Sequence, residues 1–248
     1  MSGVRTNYFD AEIAANYDRD SAFLFDPAVV GATVDFLAPL AAGGAALELG
    51  IGTGRVALPL SARGVPVQGI DLSPDMVAQL RAKPGGAAIG VTIGDFVTTV
   101  VPGTFRLAYL VYNTIENLTS QDDQVACFVN VARHLEPGGC FVIEVGVPQL
   151  RRLPPGQSAR PFLVTPERVG FDTIDVARQL GVSHHYWVGA GRAEIFTMPY
   201  RYAWPAELDL MARIAGLRLR ERWSGWRREP FTSESISHVS VWENPPAE

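Results

Sequence analysis

The sequence predicts an α/β fold, a parallel sheet doubly wound with helices on both faces. Three observations carry that expectation. From Ala45 to Val145 apolar, strand-like runs alternate with amphipathic stretches, the order that gives parallel strands joined by helical crossovers. The first run empties into Gly50-Ile51-Gly52-Thr53-Gly54, with glycine at every second position, where positive φ and close backbone approach cost least. The next run ends in a carboxylate, in Gly69-Ile70-Asp71-Leu72.

Residues 10–18 suit a short helix, and Pro27 to Leu40 shows amphipathic recurrence with the proline in its first turn. Together they make residues 1–44 a helical lid ahead of the first strand. Strands are expected near 45–50, 65–71, 87–93, 105–111 and 139–145, with helices over 54–63, 74–83 and 120–135. The core therefore spans 45–147. Ser73-Pro74-Asp75 is a helix start, with a serine cap, proline at the first helical position and an acid in the first turn. Pro137-Gly138-Gly139 stops the helix before the fifth strand. Arg151 to Pro166, rich in Pro, Arg and Gly, is expected to be a loop. Alternating runs at 171–177, 182–188 and 193–203 read as antiparallel strands, so 148–204 is an insertion with added strands. A helix from Pro205 through Ala215 and strands at 217–223 and 236–242 complete residues 205–248 as part of a single domain.

The chain has 248 residues, enough to bury a large core without disulfides or metals. A net charge of −5 and a pI near 5.4 argue against a surface that tracks nucleic-acid phosphates. Cys127 and Cys140 read as small core residues of a reducing compartment, the alternative being a single disulfide. No signal-peptide layout and no apolar run of membrane-spanning length is present, so the chain is read as cytoplasmic, with no membrane partner. Oligomeric state is not legible.

The glycine spacing narrows the ligand. A dinucleotide fingerprint needs glycines at the first, third and sixth positions of the turn, so that the turn cradles a pyrophosphate. Here the glycines fall at the first, third and fifth positions, Arg55 takes the sixth, and Glu48 stands two before the first. An adenosine-bearing ligand fits, with backbone N–H groups along the turn and Asp71 as acceptor for two ribose hydroxyls. Gly94-Asp95-Phe96 follows the third strand.

This set resembles motif I and its companions in the class I S-adenosylmethionine (SAM) methyltransferases, densely over 45–145 and loosely beyond. The resemblance implies a Rossmann-like seven-stranded sheet with a reversed last strand, SAM as cofactor and S-adenosylhomocysteine (SAH) as product. It further implies that Glu48, Gly50, Gly52 and Gly54 shape the methionine-side wall, that Asp71 binds the ribose, and that Leu72 and Met76 flank the adenine. Asp95 and Phe96 would meet the amino edge of the base, and Asn113 the ammonium. Arg55 either faces the methionine carboxylate or is a solvated helix residue. Tyr17, in Ala14-Ala15-Asn16-Tyr17-Asp18, resembles the tyrosine that closes over the cofactor in small-molecule methyltransferases; the plainer reading is a core tyrosine.

Asn7-Tyr8-Phe9, Tyr17, the segment Val111-Tyr112-Asn113-Thr114-Ile115-Glu116-Asn117 and the tail from Leu217 to Thr232 resemble antibiotic-pathway N-methyltransferases of the lincosamide and amino-sugar type. That resemblance makes Tyr8 and Tyr17 the expected acceptor-positioning residues and a small-molecule amine the expected acceptor. The segment after the fourth strand lacks the paired acids of catechol-type enzymes, so no metal is expected. It also lacks the motifs of DNA-methylating and arginine-methylating enzymes. Glu116 either orients an ammonium or is a helix-start carboxylate. His184 and His185 are adjacent on a strand, so at most one enters a pocket. The aromatic residues Tyr186, Trp187, Tyr200, Tyr202, Trp223 and Trp226 either wall an acceptor pocket or pack ordinarily. O-methylation aided by His185 or Tyr17, and a silent SAM binder, are the rival readings.

Overall fold

In the computed structural model, which describes residues 6–189 and 192–246, the chain forms two sheets. The first has seven strands: β1 (Ala46–Leu49), β2 (Val67–Asp71), β3 (Gly90–Ile93), β4 (Phe105–Leu110), β5 (Leu135–Gly146), β10 (Arg218–Trp223) and β11 (Ser237–Glu243). Their order is β10-β11-β5-β4-β1-β2-β3. Pairing is parallel from β3 to β5, and β11 runs antiparallel to both its neighbours, so it is the reversed strand expected from the family resemblance.

Alternation along the central strands sends side chains to two separate cores. Leu47 and Leu49 of β1 with Ala108 and Leu110 of β4 pack against Phe128 of α5 (Gln121–His134) and Leu208 of α6 (Pro205–Ile214). Ala46 of β1 with Leu107 and Tyr109 of β4 face Phe36 and Leu37 of α2 (Pro27–Ala41) and Leu60 of α3 (Ala57–Ala62). Burial of such side chains contributes about 1.5–3 kcal/mol each, which is what holds helices to both faces. The caps form as expected: Ser73 Oγ accepts from Met76 N at the start of α4 (Pro74–Ala82), and Asp26 accepts from Ala28 N at the start of α2.

Several boundaries differ from expectation. The fifth strand begins at Leu135 rather than 139, so Pro137-Gly138-Gly139 lies within it, at the break in its register with β4. The helix after the glycine turn begins at Ala57 rather than 54, because Gly54 at φ +80° cannot lie in a right-handed helix. The third strand begins at Gly90, because Gly86–Ala88 forms a 3-10 turn first. The expected loop 151–166 contains a strand, β6 (Ala159–Val164). Its proline, Pro161, sits at an edge-strand irregularity in register, the place where a strand tolerates the missing donor.

β6 belongs to the second sheet, ordered β6-β7-β8-β9, with β7 (Arg168–Asp175), β8 (Leu180–Gly189) and β9 (Arg192–Arg201) antiparallel throughout. These include the extra antiparallel strands expected at 171–177, 182–188 and 193–203. The inner face of this sheet and the N-terminal helix α1 (Ala11–Asp20) both line the space beyond the carboxyl end of β4. Cys127 and Cys140 are buried and are not joined in a disulfide. Among the described residues no helix is long and apolar enough to cross a membrane.

Candidate active site

The glycine turn and the acid after it come together because β1 and β2 are parallel neighbours, so their carboxyl ends lie side by side. Gly50, Gly52 and Gly54 all have positive φ. Asp71, buried at the end of β2, accepts from Gly52 N at 2.6 Å through one carboxylate oxygen and from Ser73 N at 2.8 Å through the other. Burial raises its pKa, opposed by the N–H groups of Ser73, Gly52 and Leu72. A carboxylate offers about four acceptor positions, so these bonds do not exhaust it.

The turn differs from a phosphate cradle in one respect. Gly50 N and Ile51 N donate to Ile70 O, Gly52 N to Asp71 and Gly54 N to Ile51 O. Those N–H groups, expected to face the ligand, are used within the protein. The turn thus supplies shape, which suits a ligand that carries no phosphate there.

Glu48 is buried beneath the turn, where Tyr109 Oη donates to it at 2.9 Å. Burial pushes its carboxyl up to about 8, against that hydrogen bond and the charge of Arg55. Arg55 is not a solvated helix residue. It is half-buried, with its guanidinium 6.0 Å from the Tyr112 ring centre and Nη1 at 3.5 Å from Leu24 O. Met76 is buried and stands against Gly52, where a Cβ would lie 3.3 Å from its Cε. Leu72 is half-buried beside the Asp71 carboxylate. Asp95 Oδ1 accepts from Val97 N, and Phe96 is buried. Two acids and one arginine around a glycine turn match a ligand that bears a sulfonium, an ammonium and a carboxylate, so the residues present fit SAM.

Asn113 follows β4 in the left-handed region at φ +59°, directly after Tyr112 at φ +53°. Such residues cost about 1–3 kcal/mol each outside glycine, and neighbouring hydrogen bonds hold them there. Tyr112 N donates to Glu144 Oε2, Asn113 N to Glu144 O, and Gly146 N to Asn113 Oδ1. The same segment packs on the glycine turn, since a Cβ on Gly50 would come within 2.9 Å of Thr114 Cγ2.

Beside this cradle lies a cavity of about 1310 Å³, closed by α1, the segment 112–117 and the inner face of the four-stranded sheet. Tyr17 lines it, edge-on to Phe9 at 6.0 Å, with its hydroxyl pushed up to about 12 by burial and by Tyr112. Phe9 is on the wall and Tyr8, half-buried, is not among the lining residues. Of the histidine pair, His185 faces the cavity, while His184 stacks on Phe171. Trp187, Tyr200 and Tyr202 also line it. Tyr186 stacks on Phe171, and Trp223 and Trp226 pack against the α2-side core.

Sequence reasoning missed the fastening of α1. Thr53 Oγ donates to Asp18 Oδ1 at 2.6 Å, Lys83 pairs with the other Asp18 oxygen and donates to Thr53 O at 2.8 Å, and Ser73 Oγ donates to Phe9 O. The signal available was Lys83, the single lysine of the chain. Also missed were the polar cavity residues of the second sheet, Arg168 and Asp172.

Residues 46–139 match the methyltransferase domain family. The cypemycin N-terminal methyltransferase of a Streptomyces species is 30% identical over 240 residues, covering 95% of this chain and 97% of that protein. The structure of the CcbJ methyltransferase from Streptomyces caelestis superimposes with a TM-score of 0.86 at 34% identity, over 97% of this chain and 99% of that one. SAM-bound CalS10, an amino pentose methyltransferase from Micromonospora echinaspora, shares the fold at a TM-score of 0.70 and 23% identity, over 98% of this chain and 100% of its own. With the glycine turn, Asp71 and the reversed β11 in place, the chain belongs to the class I SAM-dependent methyltransferases.

Proposed function

We propose that the protein transfers the methyl group of SAM to an amine nitrogen of a small molecule in a secondary-metabolite pathway. The observation that carries this reading is Glu116. Its carboxyl opens into the cavity two residues beyond Thr114, which packs on Gly50, and it has no ion pair or side-chain hydrogen bond among the described residues. Burial, then the charge of Asp172, push that carboxyl up to about 8, so a cationic partner is what it lacks. Relatives named for an N-terminus of cypemycin and for an amino pentose support the same direction.

Bound SAM supplies an electrophilic methyl group, so the protein's task is alignment and exclusion of water, which can supply about 7–11 kcal/mol. Asp71 holds the ribose edge, Arg55 sets the charge at the methionine end above the protonated Glu48, and Met76 and Phe96 pack the base. The Tyr17 hydroxyl, kept neutral by burial, donates or accepts beside the acceptor without ionising. Glu116 receives the ammonium and takes its proton before attack.

The oxygen reading needs a base at His185 or Tyr17, and burial, which pushes the Tyr17 hydroxyl up to about 12, disfavours the tyrosinate. The His185 ring has both nitrogens engaged: Arg168 Nη2 reaches Nδ1 at 3.2 Å and Ser183 Oγ reaches Nε2 at 3.3 Å. An arginine only donates, so the free lone pair of the neutral ring is already taken.

The test is incubation with labelled SAM and paired amine and alcohol acceptors of equal shape. Label on amines alone supports the reading; label on alcohols alone overturns it. Tyr17→Phe should lower kcat about tenfold with an unchanged SAH affinity, a loss near 1.4 kcal/mol in the transition state. An unchanged kcat makes Tyr17 a packing residue.

A further inference from the structure

The cavity side of the four-stranded sheet carries Arg168, Asp172, Arg160 and Glu194, and the first two mark its ends along β7. Alternation along β7 puts Arg168, Gly170, Asp172 and Ile174 on the cavity side, with Arg168 opposite Trp187 and Asp172 opposite Ser183. Arg168 and Asp172 lie four residues apart, about 13 Å along the strand.

Arg168 is held in advance of any ligand. Its guanidinium lies 4.8 Å from the Trp187 ring centre, and Nη2 donates to His185 Nδ1, itself steadied through Ser183. Yet its Nε is buried without a hydrogen-bond partner, and no ion pair neutralises it among the described residues. Nη1 makes no hydrogen bond among the described residues, so the cavity end of the fork keeps donors for an acceptor group.

Asp172 at the other end meets Glu116 across the cavity, each of the two carboxyls being raised chiefly by burial. Arg160, cross-strand from Asp172, offsets that residue and leaves Glu116 uncompensated. The floor between is mainly aromatic: the Phe162 ring lies over Gly170, where a Cβ would come within 2.3 Å of it, and His185 and Phe196 continue the same row.

We propose that the acceptor is an amine that also carries an oxyanion about 13 Å away, its ammonium held at Glu116 and Asp172 and its oxyanion by the Arg168 fork, across an apolar spacer. The amine end rests on the function proposed above; the oxyanion end does not.

The experiment measures binding of straight-chain ω-amino carboxylates of graded length to the SAH-loaded protein by calorimetry. Matching alkylamines, α,ω-diamines and ω-amino phosphonates serve as the other arms. The expected result is a length optimum at which the amino carboxylate binds about tenfold tighter than the alkylamine, the usual scale for one charge-assisted bidentate pair. Arg168→Gln should erase that preference while alkylamine and SAH affinities hold, and Arg168→Lys should restore part of it. Glu116→Gln should weaken every amine alike. A phosphonate preference over the carboxylate identifies a phosphate-type oxyanion and equally supports the site. An anionic end that adds nothing at any length, or a preference that survives Arg168→Gln, overturns the inference and leaves nitrogen methylation standing. Transfer to hydroxyl acceptors with the Arg168 preference intact overturns the nitrogen reading and upholds the oxyanion site.

Discussion

Asp71 ties the glycine turn to the start of α4 with the same carboxylate that the proposed function gives to the ribose. It accepts from Gly52 N and Ser73 N. Asp71→Ala should weaken SAM binding by about 1–3 kcal/mol, read by calorimetry, through loss of charge-assisted hydrogen bonds. Glu48 makes a different prediction. Its folded pKa, about 8, lies above the unfolded carboxylate value, so the folded state keeps a proton that the unfolded state has lost. The contribution of that proton to stability is full below the unfolded pKa and is lost as pH rises to about 8. Thermal melts from pH 5 to pH 8, the window where the two states differ in protonation, should fall less steeply for Glu48→Gln than for the unaltered protein. Glu116 titrates over the same window and leaves a residual slope. Parallel curves for the two proteins would contradict the protonated, buried Glu48.

At the scale of elements, the lid is a helix fastened at two points. Asp10 caps α1 by accepting from Glu12 N and Ile13 N, so the helix forms locally. Its docking is decided elsewhere, by Asp18 against Thr53 and Lys83 and by Phe9 against Ser73, residues of the glycine turn and of the start and end of α4. The lid is therefore tied to the cofactor elements themselves. Asp18→Ala should raise amide hydrogen exchange over residues 11–20 and accelerate SAH release. The cost in global stability should be about 1 kcal/mol or less, since the pair is partly exposed. Unchanged exchange over α1 would show that apolar packing alone holds the lid.

For the whole molecule, the proposed function needs a rigid connection between the sheets, because the glycine turn belongs to the first and much of the cavity wall to the second. Arg201, buried at the end of β9, donates to Gln124 of α5 and, at 2.7 Å, to Glu207 of α6. Gln124 in turn donates to Arg201 O and to Ile115 O, next to Glu116. Burial raises the Glu207 carboxyl, but hydrogen bonds from Gln179, Arg201 and Gln121 outweigh it and bring it below its usual value. That contribution is present above the unfolded pKa and lost as pH falls through the folded one. Removing one partner leaves the other charge buried, so Arg201→Met should cost about 3–5 kcal/mol in denaturant unfolding. Acceptor turnover should fall further than SAH affinity, because the break lies between the sheets. Equal losses in both would place the effect on the core alone.

The sequence by itself determined the first sheet, the glycine turn and Asp71 at the neighbouring strand end. Each is a local pattern, and parallel neighbours bring successive strand ends together whatever the rest of the chain does. It also limited His184 and His185 to opposite faces, since period two is a property of the strand alone. Strand β6 escaped because prolines and glycines read as loop, and only pairing with β7 made the segment a strand. Tertiary structure alone decided which sheet face looks into the cavity, that Glu116 meets Asp172 there, that Arg168 rests on Trp187, and that Phe9 rather than Tyr8 reaches the wall. Those outcomes depend on burial and on charges far apart in the chain, and desolvation is a property of the surroundings that no local pattern of residues contains.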